Sequence, residues 1–367
     1  RSPMYHAIIL KDVLDLLNLA ASADPSSAGR RGEQSSSTPW PRRGGARRRG
    51  GSMPIADWRR VARTMLDWLE VMTHPDGEIA FFNDAAFGVA STLAELTDYA
   101  RRLGVPSPPA PFPPGKRKED PHPQPLSPWE RGLQVFPRLV LLPDSGYARI
   151  ESGPAVLLAD VGGIGPDYLP GHAHADTLSF ELSLYGQRIL VNSGTSCYGT
   201  GSERQRQRGT AAHNTVVIAG QDSSEVWGGF RVARRARPVG LRWGETADGG
   251  WVECAHDGYR RLPGRVTHWR RWRLAADGLS IHDHLTGEFR HAVARYHLHP
   301  AVRIELNPDG RGGDLQLPSG ARIVFHLTPG PARLIATTWH PRFGVSEANK
   351  CLEIPFTGPE TQLSMHW

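Results

Sequence analysis

Hydrophobic positions fall into two rhythms along this chain, and the change comes near residue 140. Before it, apolar residues recur at helical spacing. In "AIILKDVLDLLNL" (7–19), Ile9, Val13 and Leu16 form one stripe beside Leu10, Leu14 and Leu17, which predicts a helix. Residues 57–72 predict a second, with Trp58, Val61, Met65, Trp68, Leu69 and Met72 at the same spacing. A third is expected over 93–103, where Thr92 and Glu95 have the spacing of a capping box and Gly104 supplies a stop. Beyond residue 140 come short runs such as "YARIES", "AVLLADV", "TLSFELSLY", "NTVVIAG" and "ARIVFHL", separated by turn residues at roughly regular intervals. That rhythm predicts an antiparallel β-sandwich. The expected architecture is a helical portion followed by an all-β domain.

Two segments carry neither rhythm. "SSAGRRGEQSSSTPWPRRGGARRRGG" is Ser, Gly and Arg with almost no apolar content, and residues 106–132 hold ten prolines in 27 positions. Neither can bury a core, so both are expected to be disordered or polyproline-like. They also carry the charge. The chain has a net charge of +6, and residues 21–53 supply seven arginines against Asp24 and Glu33. The rest of the basic excess lies in 106–132, which leaves the folded remainder neutral. An Arg/Gly tract can bind RNA, but basicity confined to insertions does not describe a nucleic-acid-binding surface, and no nucleic-acid partner is expected. No apolar run reaches membrane-span length, so no span is expected. The three cysteines, Cys197, Cys254 and Cys351, are scattered and form neither a disulfide framework nor a zinc cluster. The first residue is Arg1 and not Met, and further residues upstream are expected.

Chemistry concentrates in "GHAHADTLSFELSLYGQRILVNSGT" (171–195). His172, His174, Asp176, Leu178, Phe180, Leu182 and Leu184 share parity, so an extended chain would project all of them to one face. The histidines would then stand at the sheet rim. A His-x-His pair can bring two imidazoles to one metal, and it can equally be two hydrogen-bonded rim histidines. His213 opens another alternating strand, and Asn192 ends the strand after the Gly-Gln turn. A turn at Gly186–Gln187 would place Asn192 opposite Glu181, away from His174; only an odd loop or a bulge brings it back. Asn is also a poor, neutral zinc ligand.

These residues strongly resemble the heparinase II/III-like family of polysaccharide lyases, which includes alginate lyases. The Gly-His-x-His-x-Asp start, the Ser-Gly-Thr turn and the Ala-Ala-His-Asn-Thr strand occur in order, and the resemblance spans most of 140–367. Weaker similarity covers "SPMYHAIIL" (2–10) and "THPDGEIAFFNDAAF" (73–87). The resemblance implies an α+β multidomain fold, a truncated (α/α) toroid followed by a large antiparallel β-sandwich. It divides the chain into a partial toroid over 1–105 with an insertion at about 21–53, a Pro-rich linker over 106–135, and the sandwich over 136–367.

The resemblance also implies β-elimination on an acidic, uronate-containing polysaccharide. Tyr5 would be the catalytic acid and could serve as the base as well, and His172 would be the second acid/base group, a role suited to an imidazole. His174 and His213 would hold a structural Zn2+ with a third ligand at Asn192, where the family has an aspartate. An amide there forfeits one charge of attraction and weakens the site. Beside the resemblance, His6, Arg204 and Arg208 are expected to bind substrate; Arg204, Arg206 and Arg208 precede His213 and could equally face an anionic glycan or belong to a solvated loop. The family's carboxylate-neutralising Asn or His is expected upstream of residue 1. A periplasmic or secreted location is expected. The competing expectation is a catalytically inactive glycan-binding or exopolysaccharide-assembly protein of the same fold.

Overall fold

A computed structural model describes residues 2–23, 54–106 and 138–367. Most of the Arg/Gly-rich and Pro-rich segments therefore lies outside the described residues. Three helices lead the chain: α1 (Pro3–Ala23), α2 (Ile55–Val71) and α3 (Leu93–Arg102). α3 has the expected capping box, with Thr92 accepting from the Glu95 backbone and the Glu95 carboxylate accepting from the Thr92 backbone. It ends as expected too. Gly104 takes φ +69°, its N–H bonds the Arg101 carbonyl, and the Val105 N–H bonds the Ala100 carbonyl.

In α1 only one of the two apolar stripes is covered. Met4, Leu10, Leu14 and Leu17 are buried against α2 and α3, together with Val13, whereas Ile9 and Leu16 are exposed. The helical core extends to Phe81, Val191 and Trp339, so the helices sit directly on the edge of the β-domain. Among the described residues no helix is long and apolar enough to cross a membrane.

The β-domain begins with an antiparallel sheet of β1 (Arg138–Leu142), β2 (Tyr147–Ser152), β3 (Ala155–Asp160), β4 (Phe180–Leu184) and β5 (Gln187–Leu190), paired in that order. A short helix, α4 (Ser202–Arg208), leads to β6 (Val216–Ile218) and to the small hairpin of β7 (Val226–Trp227) and β8 (Arg231–Val232). The meander β9 (Pro238–Thr246), β10 (Gly249–His256), β11 (Thr267–Ala275) and β12 (Gly278–Thr286) follows. The remaining strands are β13 (Ala292–His297), β14 (Arg303–Leu306), β15 (Gly312–Gln316), β16 (Arg322–Thr328), β17 (Arg333–Trp339), β18 (Glu347–Phe356) and β19 (Glu360–His366).

One layer is the eight-stranded sheet β14-β15-β16-β19-β12-β11-β10-β9. The other joins the β1–β5 sheet to the sheet β17-β18-β13-β6, because Val191 N–H bonds the His297 carbonyl and His299 N–H bonds the Ile189 carbonyl. Between the layers lies one continuous apolar core, in which Phe180 meets Trp272 and Tyr296 edge-on. The sandwich read from the alternating pattern is thus present.

Two local expectations fail. The run 172–184 is not extended throughout. β4 starts only at Phe180, and a turn precedes it, in which Ser179 N–H bonds the Asp176 carbonyl and Leu178 adopts φ +65°. Parity therefore does not carry through from His172 to Leu184. The hairpin turn lies one residue earlier than expected. Tyr185 and Gly186 both have positive φ, the geometry of a tight hairpin turn, and Leu184 pairs with Gln187. A bulge follows, since Ser183 pairs with Arg188 but Leu182 pairs with Leu190.

Candidate active site and metal site

The site is organised by Asp84, in the loop between α2 and α3, whose side chain is fully buried. Its carboxylate accepts from His172 Nδ1 at 2.9 Å, from His174 Nε2 at 2.8 Å and from both terminal nitrogens of Arg204. Its backbone is fixed as well, with Asp84 N–H on the His172 carbonyl and the Ser2 hydroxyl on the Asp84 carbonyl. Burial alone would raise the Asp84 pKa. The hydrogen bonds from His172 and His174 and the Arg204 fork outweigh it and hold the carboxyl well below the usual carboxylate range.

Asp84 divides the two histidines by role. His172 is 40% exposed at its side chain. With Nδ1–H donated to a carboxylate, its Nε2 carries the lone pair and faces away from the anchor. His174 is buried and donates from Nε2, which leaves Nδ1 as its acceptor.

Tyr5, in the first turn of α1, meets His172 with ring centroids 4.1 Å apart. Its hydroxyl lies 2.8 Å from that of Tyr198. The Tyr198 ring contacts Phe230 and Phe343 and is capped by the Arg204 guanidinium at 5.1 Å. Burial, then the bond to Tyr5, pushes the Tyr198 phenol upward, so it keeps its proton. Tyr5, His172, Tyr198 and Phe230 thus share one partly open face at the helix–sandwich junction.

The three expected substrate ligands are engaged by other groups of the protein. His6 bonds the Met65 carbonyl at 2.8 Å and stacks on Trp68, and burial lowers its pKa to about 4. It joins α1 to α2. On α4, Arg204 and Arg208 are one turn apart and both point inward, fully buried. Arg204 is consumed by Asp84 and the Gly229 carbonyl, and Arg208 by the carbonyls of Ala173, Trp227 and Arg231. Neither offers its charge to a glycan; Arg206 is the more exposed of the three and bonds Glu203, Thr338 and His340.

The neighbouring cluster suits a metal. His174, Asp176 and His213 are all buried and place one donor atom each within 4.8 Å of one another. His174 Nδ1 and both ring nitrogens of His213 have no hydrogen-bond partner. Orphaned buried imidazole nitrogens are costly unless something binds them. Burial keeps both rings neutral, lowering His174 and moving His213 well below its usual value. Neutral imidazole is the form that ligates metal. The His174–Asp84 bond supplies the outer carboxylate that orients a ligating histidine. The expected third position, Asn192, is fully buried in the adjoining segment. Its side-chain oxygen accepts from Asn214 N–H at 3.4 Å, and its Nδ2 has no partner. Asp176 is the carboxylate of the cluster formed with the two histidines.

The family model for the heparinase II/III-like C-terminal region matches residues 137–367, the whole sandwich. The chain belongs to the heparinase II/III-like family. Among solved structures it is similar to heparinase III, with a TM-score of 0.69 at 16% identity, over 100% of this chain and 53% of that one. It is likewise similar to the heparan sulfate lyase HepC of Pedobacter heparinus, with a TM-score of 0.67 at 12% identity, over 100% of this chain and 52% of that one. At such identities the likeness speaks for the fold. A curated relative, FtsZ-localized protein C of Caulobacter vibrioides (strain NA1000 / CB15N), is 28% identical over 204 residues, 48% of this chain and 34% of that protein. The chain thus spans about half the length of these solved structures and 34% of the curated relative.

The residues that organise the site, Asp84 and Tyr198, carry no signal of their own as single residues in the sequence. Both fall in or beside segments with a signal: Asp84 in "FFNDAAF", and Tyr198 three residues after the Ser-Gly-Thr turn.

Proposed function

We propose that this protein is a polysaccharide lyase that cleaves a uronate-containing polymer by β-elimination. The observation that carries the reading is the meeting of the Tyr5 phenol and the His172 imidazole on one open face, with His172 anchored through Nδ1 on Asp84. In the reaction, His172 Nε2 takes the proton α to the uronate carboxylate. The electron pair forms the new C=C bond and expels the glycosidic oxygen, which takes the Tyr5 phenolic proton. Each group is of a type fitted to its transfer. Tyr198, held protonated, donates toward the Tyr5 oxygen and steadies it as it loses its proton.

His174, Asp176 and His213 would hold a Zn2+ ion, with Asn192 in the adjoining segment. When bound, the ion would fix the sandwich edge, and no proton transfer passes through it. Asp176 would restore the charge that Asn192 forfeits.

A second reading is a glycan-binding or exopolysaccharide-assembly protein without turnover. The amide at Asn192 favours it, and the Caulobacter relative is named for its place with FtsZ and not for a polymer. Incubation with a panel of uronate polymers separates the two. Ultraviolet-absorbing unsaturated uronate products, lost in Tyr5→Phe and His172→Ala, support the lyase; binding without product supports the second reading.

A further inference from the structure

The outer face of the eight-stranded sheet carries a second constellation, on strands that contribute nothing to the His172 site. Trp251 of β10 and Trp269 and Arg271 of β11 all point outward, because their neighbours Val252, Arg270 and Trp272 point into the core. The edge strand β9 is shaped to receive the indoles. A Cβ at Gly244 would lie 2.8 Å from Trp251 Nε1, and one at Gly240 would lie 3.0 Å from the Trp269 ring. Glycine at these positions leaves room for both indoles, with Trp269 approaching Gly240 by the Cη2–Cζ3 edge of its ring, a close approach that a side chain there would block. The Arg271 guanidinium carbon lies over the Trp251 ring, 4.4 Å from its centroid.

Charge on this face is mostly compensated, and the exception is informative. Arg242 pairs with Glu253, Arg273 lies near Asp248, and His282 and His284 face Glu360. Arg271 has no carboxylate partner among the described residues, although Glu253 stands directly across the ladder from it. A guanidinium over an indole face without a carboxylate partner keeps N–H donors that can meet a carboxylate with two parallel bonds. An open groove runs beside it, lined by Trp269, Arg271, His282, His284 and the paired Arg242 and Glu253.

We propose that this face is a second binding site for an acidic polysaccharide chain, away from the His172 face, in which a sugar ring lies on Trp269 and its carboxylate meets Arg271. An indole held in place by packing offers a rigid apolar platform at little entropic cost, and the unpaired fork selects an anionic sugar over a neutral one. The identification of the ligand as a uronate polymer rests on the lyase reading; the site itself does not. It would hold a long chain to the protein while another stretch occupies the cleft, raising effective concentration without new contacts there.

The test uses the full chain carrying His172→Ala, so that turnover cannot interfere, with alginate and heparan sulfate as probes and dextran as the uncharged control. Trp269→Ala and Arg271→Gln are each expected to weaken polymer binding about tenfold, with Arg271→Lys recovering only part. In the otherwise unaltered protein, the same changes should raise KM for polymer and leave turnover of a short oligosaccharide unchanged. Circular dichroism and thermal melting of Arg271→Gln, a surface change, guard against misfolding. Unchanged polymer affinity in both variants overturns the site, as does equal loss of dextran binding, or loss of a dimer in place of glycan affinity. Absence of products with intact, Trp269-dependent binding would overturn the lyase reading and leave this site standing.

Discussion

The rings of Tyr5 and His172 stand 4.1 Å apart, one in the first turn of the leading helix and the other in the loop before β4. That contact exists because helix α1 and the sandwich share a core through Phe81, Val191 and Trp339, and because Asp84 grips His172 from the α2–α3 loop.

Tyr5→Phe removes one transferable proton and little packing, so the fold should persist while the acid is lost. His172→Ala removes the base. Each is expected to lower the rate of product formation by 10²–10⁴-fold, on the order of a positioned acid or base, read by ultraviolet absorbance. Wild-type rates in both variants would reject these roles.

Asp84→Asn leaves the Arg204 guanidinium fully buried without its counter-charge. Removing one partner of a buried pair costs about 3–5 kcal/mol. Urea unfolding should show a loss of that order, together with loss of activity. A change below about 1 kcal/mol would mean that water or another group replaces the carboxylate.

Metal content can be measured directly on purified protein by mass spectrometry. One zinc per chain is expected, lost in His213→Ala. Chelation should lower the melting temperature, since a ligand bound only to the native state stabilises it. Asn192→Asp, which adds a charged donor in the adjoining segment, should tighten zinc retention against a chelator. No zinc after growth with added metal would count against the site.

Acid should destabilise this fold early. His297 is buried, its pKa pushed down to about 3 by burial and then by the Arg295 charge, and burial also moves His256 well below its usual value. Above about pH 6.5 these rings are neutral in both folded and unfolded chains, and they contribute nothing to the pH dependence. As pH falls below that, the unfolded chain takes up protons that the folded one refuses. Stability then drops by on the order of 1.4 kcal/mol per pH unit for each such histidine, until the folded pKa is reached. Denaturation series at pH 7, 6 and 5 should show this slope, and a flat profile would contradict it.

The amino-acid pattern alone determined the elements. Period-two apolar runs predict strands because side chains alternate across a sheet, and the α3 cap and stop are readable because the Thr92, Glu95 and Gly104 signals act within a few residues. It also singled out Tyr5, His172, His174 and His213, through family motifs that survive as short strings. Tertiary structure decided what sequence distance conceals. Asp84 becomes the hub only when the α2–α3 loop meets the β-domain, and nothing local marks that carboxylate as the one to be buried. Arg204 and Arg208 read as free surface charge until α4 turns both inward. The place of Asn192 depended on a bulge between Leu182 and Ser183, and the carboxylate beside His174 and His213 proved to be Asp176. Local propensity fixes elements, but a buried charge is assigned by its partners, and those arrive from other parts of the chain.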